Sequence, residues 1–123
     1  RSSDLKSTVD YIGVVQGVPV CFDAKECAVD LFALQKIHPH QVQFMRDFDK
    51  QDGIAFFLIY FTARDIMYYM SIRELNIFWE RMENGGRKSF RIEELKDNYF
   101  MKHKSGQMVP YLDMIQLDLN ERN

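Results

Sequence analysis

A chain of 123 residues with 46% apolar and 28% charged side chains has the composition of one soluble globular domain, taken here as 1–123. That length buries roughly two thirds of the unfolded surface. The formal net charge of −2 gives no global signature of a nucleic-acid binder, no apolar run approaches the ~20 residues of a membrane helix, and no signal-peptide pattern opens the chain.

Residues 9–15, VDYIGVV, and 18–24, VPVCFDA, are β-branched and aromatic runs. Gln16-Gly17 between them reads as a two-residue hairpin loop. Pro19 cannot donate to a ladder, so it belongs at an edge or a non-bonded position. Cys21 and Cys27 are too few for a disulfide framework. In one strand they stand about 20 Å apart, beyond any bridge, which fits a reducing cytoplasm. Residues 37–51 read as a helix with Ile37, Gln41, Met45 and Phe48 on one stripe. Asp52-Gly53 ends it, with Gly53 as the expected left-handed terminator. IAFFLIYF, 54–61, is a continuous apolar run, the pattern of a strand buried on both faces. DIMYYMS, 65–71, reads as a further strand. Ser71-x-x-Glu74 then forms a capping box for a helix that buries Ile72, Leu75, Phe78, Trp79 and Met82 and stops at NGG, 84–86. A short helix is expected around 91–96, and the tail from Pro110 fits a helix better than a strand. The order is that of an α/β domain: a mixed β-sheet flanked by helices.

The hairpin register places chemistry. With Gln16 and Gly17 as the loop, Val15 faces Val18, Asp10 faces Asp23, and Thr8 faces Lys25. Alternation of faces brings all four onto one patch. Directly opposed carboxylates lie about 4.5–5.5 Å apart at Cβ and repel. Lys25 is offset by two residues, so a divalent cation shared by both acids compensates better. The donors suit Mg²⁺ or Mn²⁺. Gln41 lies on the apolar stripe and points toward the sheet, where an amide needs a polar partner such as a metal or its water. His38 and His40 flank it as surface or DNA-side residues, a weak zinc pattern. The alternative is that both acids point into solvent at the open end of the hairpin. GGRKSFR, 85–91, carries three cations and no acid. It is either a solvated loop or a phosphate-contact patch of Arg87, Lys88 and Arg91. Two acids, a lysine and a glutamine so arranged have the shape of a two-strand metallonuclease site. In such a site the metal polarises the phosphate and activates a water for in-line attack, while the lysine stabilises developing charge.

STVDYIG, FDAKE, LQKIHPHQ, QDGIAFFLIYF and FWERMENGGRKSFRIEEL, in this order and spacing, resemble the RecU-type Holliday junction resolvases of Gram-positive bacteria and their phages. These are dimeric members of the PD-(D/E)xK nuclease superfamily. The resemblance runs from about Ser7 to at least Leu95. It implies a restriction-endonuclease-like fold, with Thr8 and Asp10 as metal ligands and Asp23 as the second acidic ligand. Gln41 takes the glutamine-ligand position and Lys25 that of the transition-state lysine. The family usually carries Glu where Asp23 stands. Its members also carry a basic arm and a stalk before the T-x-D motif, whereas this chain begins nine residues before Asp10.

The implied activity is metal-dependent, structure-specific cleavage of four-way DNA junctions in recombination and repair. The implied partners are branched DNA and a second copy of the chain, in the cytoplasm and away from any membrane. Two other readings stay open: a catalytically weak junction-binding accessory protein, and a related nuclease of other branched or duplex DNA. Asp23→Asn is expected to abolish cleavage without lowering metal-free stability, because it relieves repulsion from Asp10.

Overall fold

The computed structural model describes residues 9–102 and 111–122. In chain order its elements are β1 (Tyr11–Val15), β2 (Val18–Cys27), β3 (Leu31–Ala33), α1 (Pro39–Lys50), β4 (Ile54–Phe61), β5 (Ile66–Ser71), α2 (Ile72–Glu83), β6 (Ser89–Arg91), β7 (Phe100–Lys102) and α3 (Tyr111–Arg122). Five strands form a mixed sheet in the order β1-β2-β4-β5-β7. Only β2 and β4 run parallel, and the other three pairs are antiparallel. This is the expected α/β architecture, a mixed sheet with helices packed on it, consistent with a restriction-endonuclease-like fold.

The hairpin forms in the expected register, from Val15 opposite Val18 to Tyr11 opposite Phe22. Gln16 (φ 50°) and Gly17 (φ 82°) are both left-handed. That is what a two-residue turn matching the strand twist requires, and it explains the glycine. β2 continues to Cys27, three residues past the expected end, because β4 pairs with it from Val20 opposite Ile54 to Cys27 opposite Phe61. Pro19 lies just short of that ladder, where its missing N–H disrupts no bond to β4.

β4 is buried along almost its whole length, so both faces of the sheet are covered there. Asp23 and Lys25 project toward α1. By alternation Phe22 projects to the opposite face, where a row of stacked rings crosses the sheet. Tyr11 to Phe22 is 5.2 Å, Phe22 to Phe56 5.3 Å, Phe56 to Tyr69 4.3 Å and Tyr69 to Tyr99 5.4 Å. α3 closes this side through Ile115 and Asp118.

Four local expectations change. α1 begins at Pro39, not Ile37. Proline fits the first helical position and holds the preceding His38 extended (φ −75°, ψ 139°), so Ile37 enters the core from a loop. The left-handed residue after α1 is Asp52 (φ 67°), not Gly53. Gly53 is needed for a different reason: a Cβ there would strike the Phe48 ring. The short helix expected around 91–96 is present as a 3₁₀ turn at Ile92–Glu94, not as an α-helix. It follows β6, which pairs with β3 in a second, two-stranded sheet, Phe32 opposite Phe90, and another 3₁₀ turn lies at Asp97–Tyr99. The Phe32 and Phe90 rings stack at 5.1 Å, and Phe90 reaches Phe78 of α2 at 4.7 Å.

The fourth change concerns the capping box. Ser71 Oγ accepts from the Glu74 N–H at 3.1 Å. The Glu74 carboxylate, however, does not return the favour. It is buried and accepts from the Tyr68 hydroxyl at 2.7 and 3.0 Å. Burial, only partly opposed by the Tyr68 hydrogen bond, raises its pKa above the ordinary value. An acid whose folded pKa is raised loses stability as pH climbs through the ordinary carboxylate range. The loss is complete above the folded pKa. Glu74→Gln, which keeps an acceptor for Tyr68, is therefore expected to raise the urea midpoint at pH 7. The gain should vanish below about pH 4, where the unfolded chain is protonated too.

Candidate functional site

The site is assembled from the second strand of the hairpin and the first turn of α1. Alternation along β2 puts Cys21, Asp23 and Lys25 on one face. Pro39 starts α1 so that Gln41, the third helical residue, faces them. Asp23 is 6% exposed. Its Oδ2 lies 3.0 Å from Lys25 Nζ and accepts from Gln41 Nε2 at 3.2 Å. Lys25 Nζ donates to Gln41 Oε1 at 3.1 Å, closing a triangle. Gln41 Oε1 also accepts from the His38 backbone N–H at 3.3 Å. The glutamine is thus fixed from two sides: by the helix start and by the lysine.

Asp10 precedes β1 by one residue and extends the hairpin register by one step, to the position opposite Asp23. It is exposed, and its Oδ2 accepts from the Ala24 N–H at 2.9 Å. Asp10 is therefore tied to the backbone of β2 beside Asp23. Thr8 lies outside the described residues. Although Lys25 is offset by two residues along the strand, its long side chain folds back and makes direct contact with Asp23.

Cys21 sits two residues before Asp23 on the same face. Burial first, and the neighbouring Asp23 charge second, push its thiol up to about 12. It stays protonated at neutral pH and is no nucleophile there. Both cysteines are free and buried, as expected. The Cys27 thiol donates to the Val29 and Leu31 carbonyls at 3.1 Å each.

His38 and His40 are exposed, with rings 4.5 Å apart. Arg87, Lys88 and Arg91 are exposed as well. They stand on the segment leading into and along β6, not beside Asp23. Arg87 Nη1 lies 3.8 Å from Glu94 Oε2. The Lys88 carbonyl accepts from the Leu34 N–H at 2.9 Å. Arg81, which the sequence reading leaves aside, braces this segment: Nη1 donates to Glu94 Oε1 and Nη2 to the Ser89 carbonyl, each at 2.7 Å.

The donor set fits a hard divalent cation: two carboxylates from Asp10 and Asp23, and the amide oxygen of Gln41. Among the described residues no three His, Cys, Asp or Glu side chains cluster, so none offers an imidazole or thiolate site of the zinc kind. The Lys25 ammonium contacts Asp23 Oδ2 and Gln41 Oε1, oxygens on two of the residues that would hold such a cation.

A mixed α/β sheet whose second strand carries acid-x-lysine, faced by a helix glutamine, defines the class: a restriction-endonuclease-like fold. Within that class, the family described as "Recombination protein U" matches residues 3–117, and the chain belongs to it. Two similar proteins carry the name Holliday junction resolvase RecU. The one from Limosilactobacillus reuteri is 40% identical over 111 residues, covering 89% of this chain and 54% of that protein. The one from Staphylococcus aureus is 37% identical over 111 residues, covering 89% and 52%. A third of that name, from Limosilactobacillus fermentum, is 42% identical over 110 residues, covering 89% and 51%. The chain spans about half the length of the curated relatives it matches. No helix among the described residues is long and apolar enough to cross a membrane.

Proposed function

We propose that the chain is the nuclease domain of a metal-dependent endonuclease that resolves four-way DNA junctions in the cytoplasm. The observation that carries this reading is the triangle of Asp23, Lys25 and Gln41 beside Asp10, in a member of the recombination protein U family. Asp10, Asp23 and Gln41, with Thr8, hold Mg²⁺ or Mn²⁺. Such a cation supplies Lewis acidity toward the phosphate and lowers the pKa of a water. Lys25 turns its ammonium from Asp23 to the phosphate oxygens as negative charge builds on them. Gln41 keeps the helix start and the strand in register, because its amide bridges the His38 N–H and Asp23. Arg87, Lys88 and Arg91 contact phosphates other than the one that is cut. Two nicks on a two-fold junction call for two identical sites, which a homodimer provides.

The test is cleavage of a four-way junction and of a linear duplex in Mg²⁺, by the chain and by Asp10→Asn. Paired nicks on the junction, little cutting of duplex and none by the variant are expected. Retained junction binding without cleavage by the unaltered chain would sink the enzyme and leave an accessory protein. Equal cutting of both substrates would sink the junction specificity.

A further inference from the structure

Beside the site lies a cleft of about 580 Å³ that no role above uses. Its walls are Leu34, Ile37, Trp79 and Met82, and its rim carries Gln35, His38 and Lys88. The size is within the range of small-ligand pockets, roughly 300–1,000 Å³. Apolar surface inside, with Met82 partly exposed and Trp79 showing only a small part of its ring at 6% exposure, amide and imidazole groups at the mouth and a cation beside them form a specific combination. It suits a flat ring with polar edges attached to an anion. His38 joins the cleft to the nuclease site, since its side chain borders the cleft while its N–H holds Gln41 Oε1 at 3.3 Å.

We infer that this cleft receives one unstacked nucleobase of the DNA, from a nucleotide neighbouring the phosphate at Asp23 and Lys25. The inference rests on the nuclease reading and deepens it by naming a second contact with the substrate. The base lies against Met82 and the small accessible part of Trp79. Gln35 and His38 meet its hydrogen-bonding edge, and Lys88 meets the adjoining phosphate. Unpaired or branch-point bases are the cheapest to unstack, so the cleft favours branched over continuous duplex DNA. A base read at its edge also gives the cut a sequence preference.

Trp79 is the chain's one tryptophan, so its emission reports the cleft directly. The full chain is titrated in EDTA with a four-way junction, and with the same junction carrying abasic sites around the branch. Anisotropy follows binding in parallel. The intact junction is expected to quench Trp79 to saturation. The abasic junction should bind about tenfold more weakly and quench little, as loss of one stacked base predicts. Ala33→Phe, which fills the cleft, should reproduce the abasic result on intact DNA. Gln35→Glu at the exposed rim should weaken intact-junction binding and spare abasic binding, and serves if Ala33→Phe does not fold. Equal quenching by both junctions overturns the inference. So does emission that changes with protein concentration alone, which would seat a second copy there. Cleavage in Mg²⁺ without quenching sinks the base pocket and leaves the nuclease. Quenching without cleavage sinks the nuclease and leaves the pocket.

Discussion

Asp23→Asn is expected to reduce junction cleavage in Mg²⁺ on the order of a thousandfold and to lower stability in EDTA by about 1–2 kcal/mol. The first effect follows from removing a charged donor. The second reverses what the opposed carboxylates predict on their own, because Asp23 has partners that the register does not reveal. Its Oδ2 holds Lys25 at 3.0 Å and Gln41 Nε2 at 3.2 Å, and the residue is 6% exposed. An asparagine in the same place keeps one acceptor but loses the charge opposite the ammonium. Its new N–H₂ group competes with the donors of Lys25 and Gln41. Lys25 is not deeply buried, so its ammonium regains water and the loss stays below that of a fully enclosed pair. Single-turnover cleavage and urea unfolding in EDTA measure the two effects. An unchanged unfolding midpoint would mean that relief of repulsion from Asp10 offsets the loss of both contacts.

The largest expected loss of stability lies on the other face of the sheet. Asp118→Ala should cost about 3 kcal/mol, against about 1 kcal/mol for Tyr69→Phe. Asp118 is 6% exposed, accepts from the buried Tyr69 hydroxyl at 2.6 Å and takes Arg122 Nε at 3.2 Å on its other oxygen. Arg122 continues to Asp49 of α1 at 3.0 Å, so the network ties α3 to the sheet and to the end of α1. Burial, then the charge of Asp118, pushes the Tyr69 hydroxyl pKa far up, so it acts as a donor at every accessible pH. Asp118→Ala strands that donor, whereas Tyr69→Phe removes it and leaves Arg122 on Asp118. Urea unfolding of the two variants decides it. Equal losses would mean that α3 is held by its apolar contacts alone.

The hairpin and its register were legible because Gln16-Gly17 permits little else, and the register alone aligns Asp10 with Asp23. Gln41 was legible because an amide on an apolar helix stripe demands a polar neighbour. The β3–β6 sheet was not, since three-residue strands carry too little alternation to register as a pattern. Its stability comes from Phe32, Phe78 and Phe90 meeting across distant parts of the chain. The start of α1 at Pro39 was open to reading from the proline itself, but the Ile37 stripe spoke louder. Trp79 and Met82 were assigned to the core from their helical spacing. Trp79 is indeed buried and Met82 packs against the core, and nothing local shows that a cleft opens beside them. The contact of Lys25 with Asp23 depends on a side-chain rotamer, which strand geometry does not specify.

That contact bears on how the protein comes to be made. A pair of acids awaiting a cation would leave the newly folded chain with unbalanced charge at its centre. Folding would then depend on metal supply, as in domains that collapse around their ion. Here the Lys25 ammonium already balances the buried Asp23 carboxylate, while the exposed Asp10 carboxylate rests on the Ala24 N–H. Asp23 is therefore already partnered before any ion arrives, and folding need not wait for one. On the proposed metal site, an ion would compete with the lysine for the Asp23 carboxylate, which would lower its affinity and leave it replaceable.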